Sequence, residues 1–116
     1  MKKALVVAVL LALVGGFAAA DLVYLLEIDI VNETGEIIEH VYIQPDYGAE
    51  WEEIPISEWV IRAGDTYTLQ IRDHKDYNTD IFNVRLESRD GTTYTMTNQD
   101  LVATSRLVFG RNNQDA

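Results

Sequence analysis

The chain has 116 residues, 9 Lys plus Arg against 19 Asp plus Glu, and a formal charge of −10 at pH 7. That length is one domain. With no cysteine, the chain excludes disulfides, Cys-ligated zinc, iron–sulfur clusters and a thiol nucleophile. The acidic balance opposes binding to nucleic acid, whose phosphates repel it, and to anionic membrane surfaces.

Residues 1–20 read as a secretory signal peptide. Lys2 and Lys3 form a positive start, and Ala4 to Val14 is an apolar run too short to span a bilayer of about 30 Å. Gly15 and Gly16 break the run. Ala18 and Ala20 place small residues at −3 and −1 of a cut before Asp21. No Cys stands at the cut, which excludes a lipoprotein anchor. The expected location is periplasmic or secreted, with no membrane anchor after cleavage. Losing those 20 residues from 116 leaves 96, and losing two lysines from 9 leaves 7 basic against 19 acidic, a charge of −12. A chain of that size buries roughly 60–70% of its unfolded surface, enough for one core without staples.

From Asp21 onward, apolar and polar residues alternate with period two, the pattern of half-buried strands. Leu22, Tyr24, Leu26, Ile28 and Ile30 share one face of a first strand, with Glu27 and Asp29 on the other. Asn32-Glu33-Thr34-Gly35 is a turn. Ile37 to Gln44 is a second strand with Ile37, Val41 and Ile43 inward and Glu39 near an edge. Pro45 ends it. Asp46 to Ser57 is a loop, and Trp59 to Arg62 a short strand. Tyr67, Leu69 and Ile71 mark a strand from Thr66 to Arg72. Asp73 to Thr79 is a polar loop. Phe82, Val84 and Leu86 mark a strand from Asp80 to Ser88, and Arg89-Asp90-Gly91 is a hairpin signal. Thr92 to Thr97 is β-branched and returns as a strand. Asn98 to Thr104 is a loop, and Ser105 to Phe109 the last strand. Seven short strands without a helix predict an all-β fold, a single antiparallel β-sandwich over residues 21–110, with a small barrel as the alternative. Residues 111–116 read as a flexible polar tail.

The order Asn32-Glu-Thr-Gly-Glu-Ile-Ile-Glu-His-Val-Tyr-Ile-Gln-Pro45, Trp51, Asp80 to Leu86, Asp90-Gly91-Thr-Thr-Tyr94 and Asp100-Leu101 resembles a family of small exported bacterial β-domains. Their shared pattern is N-x-T-G…V-Y-I-x-P, a Trp, and a Y-D-I-R-L strand leading into D-G-x-x-Y. The stretch Asp80-Ile81-Phe82-Asn83-Val84-Arg85 departs from it by extra residues between Asp and Arg. The resemblance implies a secreted sandwich of unknown function and transfers no catalytic residues.

Antiparallel strands alternate direction, so alternate loops share a pole. One pole collects the turns at Asn32–Glu36, Ala63–Asp65 and Arg89–Gly91. The other collects Asp46–Ser57, Asp73–Thr79 and Asn98–Thr104, with their carboxylates. There Asp76-Tyr-Asn78-Thr-Asp80 has the D-x-N-x-D spacing of a calcium loop. Ile81 stands where an EF-hand needs Gly and strand follows, so an EF-hand is excluded. The remaining readings are a calcium site built from several loops, with Asp76, Asn78, Asp80, Asp46 and Asp100 as ligands, and a solvated acidic rim. Oxygen donors favour calcium over zinc.

Trp51, Trp59 and Tyr47 flank the Asp46–Ser57 loop, and aromatics in a sandwich can be stacking platforms for sugars or peptides. The favoured expectation is that Trp59 plugs the core and Trp51 pins the loop onto it. Of the two histidines, His40 has outward parity and His74 lies in the acidic loop. The serines have no G-x-S-x-G elbow. The sequence is read as a monomeric, non-catalytic interaction module for an extracytoplasmic protein or glycan. The rivals are a small secreted hydrolase using acidic-pole carboxylates with His74, and a structural subunit assembling through edge strands.

Overall fold

The computed structural model describes residues 5–10 and 22–116. Among the described residues eight strands form, in the order β1 (Leu5–Leu10), β2 (Leu22–Glu33), β3 (Ile38–Pro45), β4 (Glu52–Ile54), β5 (Thr66–Arg72), β6 (Ile81–Ser88), β7 (Thr93–Asp100) and β8 (Arg106–Gly110). Short 3₁₀ turns occupy His74–Tyr77 and Arg111–Asn113. The fold is all-β. Apart from Leu5–Leu10, the segment expected to be a signal peptide lies outside the described residues, as does its cut before Asp21.

The strands make two four-stranded sheets. In the first, β2 pairs β5 along one edge. Its other edge is shared by β1, opposite Leu22 to Glu27, and β8, opposite Asn32 and its neighbours. The second has the order β4-β3-β6-β7. Both sheets feed one core, with Leu26, Ile28, Ile30, Leu69, Ile71, Leu107 and Phe109 from the first meeting Ile38, Val41, Ile43, Phe82, Val84, Leu86 and Tyr94 from the second. The side chains expected inward at Leu26, Ile28, Val41, Ile43, Leu69, Ile71, Phe82, Val84 and Leu86 are all buried.

Several details differ from the expected layout. Leu5–Leu10, inside the segment expected to be a signal peptide, forms a strand against β2. β2 and β8 run parallel, so the pairing is not antiparallel throughout. The loop after Pro45 contains a strand, β4, while Trp59 to Arg62 forms none. Only Ile61 touches the ladder there, through an isolated bridge to Ile38. Ile38 rather than Ile37 enters the core, because the register of β3 on β6 shifts between Ile38 and His40. One extra residue, Glu39, bulges out. That bulge lets Ile38 and Val41, three apart, both face inward.

A second bulge extends β7. Phe82 faces Gln99 and Val84 faces Met96, so β7 carries one extra residue. Asn98 takes the left-handed conformation there, φ 56°. Asn tolerates it better than most residues, and Asn98 N–H donates to Asn83 Oδ1 at 2.9 Å.

The N-x-T-G turn is built by its own side chains. Asn32 is fully buried. Its Oδ1 accepts from Thr34 N–H at 3.1 Å and Thr34 Oγ1 at 2.6 Å. Its Nδ2 donates to Glu36 O at 2.7 Å and Ile61 O at 2.9 Å. Gly35 closes the turn at φ 86°, where a Cβ would also stand 3.2 Å from the Arg111 guanidinium. The tail expected to fray is tied to the edge of β7. Gln114 bridges Tyr94, Asp115 N–H donates to Thr93 O at 2.9 Å, and Asp115 Oδ2 accepts from the Thr93 and Thr95 hydroxyls at 2.7 Å each.

Candidate functional site

The two poles form as the alternation of strands requires. At one, Asn32 N–H donates to Asp65 O at 2.9 Å and Arg89 N–H to Ile37 O at 2.9 Å. At the other, Asp46 N–H donates to Ile81 O at 3.0 Å and Leu101 N–H to Asp80 O at 3.0 Å. Backbone bonds therefore bring the neighbourhoods of Asp46, Asp80 and Asp100 together. Asp46, Asp76, Asn78 and Asp80 are exposed and Asp100 half-buried. Asp100 Oδ1 is occupied by Val102 N–H at 3.1 Å and Ala103 N–H at 3.0 Å, capping the turn that follows β7. Among the described residues, no three His, Asp or Glu side chains form a group that could hold a metal ion. The His74 side chain, and with it the expected pairing of His74 with these carboxylates, lies outside the described residues.

Trp51 holds its loop as expected, but against Arg85 rather than the core. It is half-buried, with the Arg85 guanidinium 4.2 Å above its ring. Arg85 Nε also donates to Thr95 Oγ1 at 2.9 Å and lies 3.7 Å from Asp115. The indole thus pins the β3–β4 connection onto the outer face of the second sheet.

Trp59 does the reverse of what its sequence context suggested. It is not in the core but 85% exposed. The turn carrying it is anchored at both ends. Ser57 N–H donates to the Tyr67 hydroxyl at 2.9 Å, and Ile61, buried, exchanges both backbone bonds with Ile38 at 2.9 and 3.0 Å. Between the anchors, Trp59 N–H reaches back to Ile56 O at 3.1 Å, and Trp59 adopts φ 76°. A bulky side chain in that region is an outlier costing about 1–3 kcal/mol, and such strain concentrates at functional sites.

The turn stands between two hollows. One, of about 500 Å³, has Pro55, Ile56, Val60 and Trp59 as apolar lining and Glu39, His40, Glu53 and Arg89 as polar lining. The other, of about 350 Å³, shares Val60 and adds Glu58, Asp65, Tyr67 and hydroxyls. Arg89 Nε donates to Glu39 Oε2 at 2.7 Å, and His40 Nδ1 donates to Glu53 Oε2 at 2.6 Å. The Glu53 bond holds the His40 pKa above its ordinary 6.5, against partial burial, with the charges of Glu53, Glu87 and Glu39 adding to it. Glu58 and Asp65 side chains make no hydrogen bond or ion pair among the described residues. The arrangement presents an exposed indole on an anchored turn, with apolar neighbours and with carboxylates lining the two hollows. That suits recognition: aromatic anchors carry much of the energy of protein interfaces.

The site and fold define a two-sheet all-β protein with an exposed aromatic turn. A scan against family models finds no match, and searches of curated proteins and of solved structures find none either.

Proposed function

We propose that the chain is an exported, non-catalytic interaction module of the β-sandwich type, acting as a monomer that binds an extracytoplasmic partner through the Ser57–Val60 turn. Support for export comes from the sequence: Lys2 and Lys3, the apolar run, and small residues before Asp21. The observation that carries the binding function is Trp59, 85% exposed at a backbone angle unfavourable to it. Folding stability gains nothing from holding an indole in water on a strained backbone, and a binding partner does.

The test is parallel capture from the native extracytoplasmic fraction by the immobilised wild-type protein and by Trp59→Ala. A protein retained by wild type and lost by the variant, with the two melting alike, is the expected result. Identical retention by both would remove the turn as the binding surface.

A further inference from the structure

We infer that the partner presents a basic polypeptide segment to this turn, with a Lys or Arg side chain lying against the Trp59 indole and its charge answered by Glu58 and Asp65. This rests on the interaction-module reading and names the chemistry of its partner. Four carboxylates border the two hollows, Glu39, Glu53, Glu58 and Asp65. Two of them are already engaged, Glu39 by Arg89 and Glu53 by His40. Glu58 and Asp65 are not, and both line the hollow on one side of the indole-bearing turn. Trp59 lines the other hollow, but Glu58 precedes it in the turn and Val60 lines both, so the turn joins an exposed aromatic to unpaired carboxylates, the complement of a cation that carries an alkyl stem. The charge gains from the ring quadrupole and the carboxylates, and the stem from apolar surface such as Val60.

The whole-chain charge points the same way. At −10, the molecule draws basic partners from a distance and repels acidic ones. A neutral glycan would stack on Trp59 without using either free carboxylate. An anionic surface would meet Glu58 and Asp65 as like charges.

The experiment follows the two indole N–H signals of the full-length protein, assigned with Trp51→Phe. The probes are a capped octapeptide alternating Lys and Ala, its Glu and Ala counterpart, and cellotetraose. The Lys peptide should shift the Trp59 signal and leave Trp51, held under Arg85, in place. Its affinity should fall as salt rises, and about three- to tenfold in Glu58→Gln combined with Asp65→Asn, as expected for two exposed ion pairs. No Trp59 shift with the Lys peptide, an equal shift with the Glu peptide or cellotetraose, or an affinity unchanged in the double variant would overturn the inference. The two failures are separable. If Trp59→Ala loses the captured protein while the Lys peptide leaves Trp59 unmoved, the interaction module stands and the basic partner falls. If capture ignores Trp59, the module reading itself falls.

Discussion

Asn32 Nδ2 donates to the carbonyl of Ile61 at 2.9 Å, across 29 positions of sequence and wholly inside the protein. This bond joins the end of β2 to the extended segment that follows the Trp59 turn. With the Ile38–Ile61 bridge it fixes where that turn stands. Removing the side chain leaves the buried Thr34 N–H without its acceptor and takes a donor from the Glu36 and Ile61 carbonyls, of which Ile61 keeps Ile38 N–H; a buried unsatisfied group costs about 1–3 kcal/mol. Asn32→Ala should therefore lose about 2–4 kcal/mol in urea unfolding. A loss below about 0.5 kcal/mol, the scale of surface changes, would show that water replaces the network.

Phe82 is fully buried and meets Tyr77 edge-on, ring centroids 5.2 Å apart. Phe82→Ala should cost about 3–5 kcal/mol through lost burial and the cavity left behind. Equilibrium unfolding that shows under 1 kcal/mol, against that about 3–5 kcal/mol scale, would place the residue outside the core.

Trp59→Gly separates an exposed anchor from a core plug. The exchange relieves an unfavourable left-handed backbone, worth about 1–2 kcal/mol for an L-residue, and adds unfolded-chain entropy worth about 0.5–1 kcal/mol. Stability should stay within about 1 kcal/mol of wild type, while partner capture is lost. A drop of about 3–5 kcal/mol, the cost of deleting a buried aromatic, would contradict the exposure of this side chain.

The strand pattern was legible because one face of each strand must be apolar, and the core positions from Leu26 to Leu86 followed from parity alone. Ile38 did not, since a bulge at Glu39 changes parity without any mark in composition. β4 was hidden for another reason: Glu52-Glu53-Ile54 is a three-residue edge strand, too short for alternation to register. At the site, the acidic sequence around Trp59 was visible but its meaning was not. An aromatic between Glu58 and Val60 fits a strand as well as a turn, and only the backbone angle tells them apart. The D-x-N-x-D spacing was equally visible, yet spacing along a chain does not fix where Asp76 and Asp80 point once a 3₁₀ turn intervenes.

His40 gives the surface a pH signature. Its folded pKa lies above 6.5, so the stability from its bond to Glu53 is whole below pH 6.5 and is lost as pH climbs through the folded value. The gap in urea midpoint between wild type and His40→Gln should thus be wider at pH 5.5 than at pH 8.5. In Glu53→Gln, the His40 ring protons should titrate at lower pH than in wild type. An unmoved titration would mean that the bond is not formed in solution.

The attachment of Gln114 and Asp115 along β7 gives the end of the chain a protective office. Outer strands with bare amides are templates on which further copies can zip. Here Gln114 and Asp115 lie on Tyr94 and Thr93, so that stretch of border is closed before a neighbour can reach it. A protease that clips before Gln114 would leave core and turn untouched. The damage would surface instead as slow accretion of otherwise well-folded molecules, edge against edge.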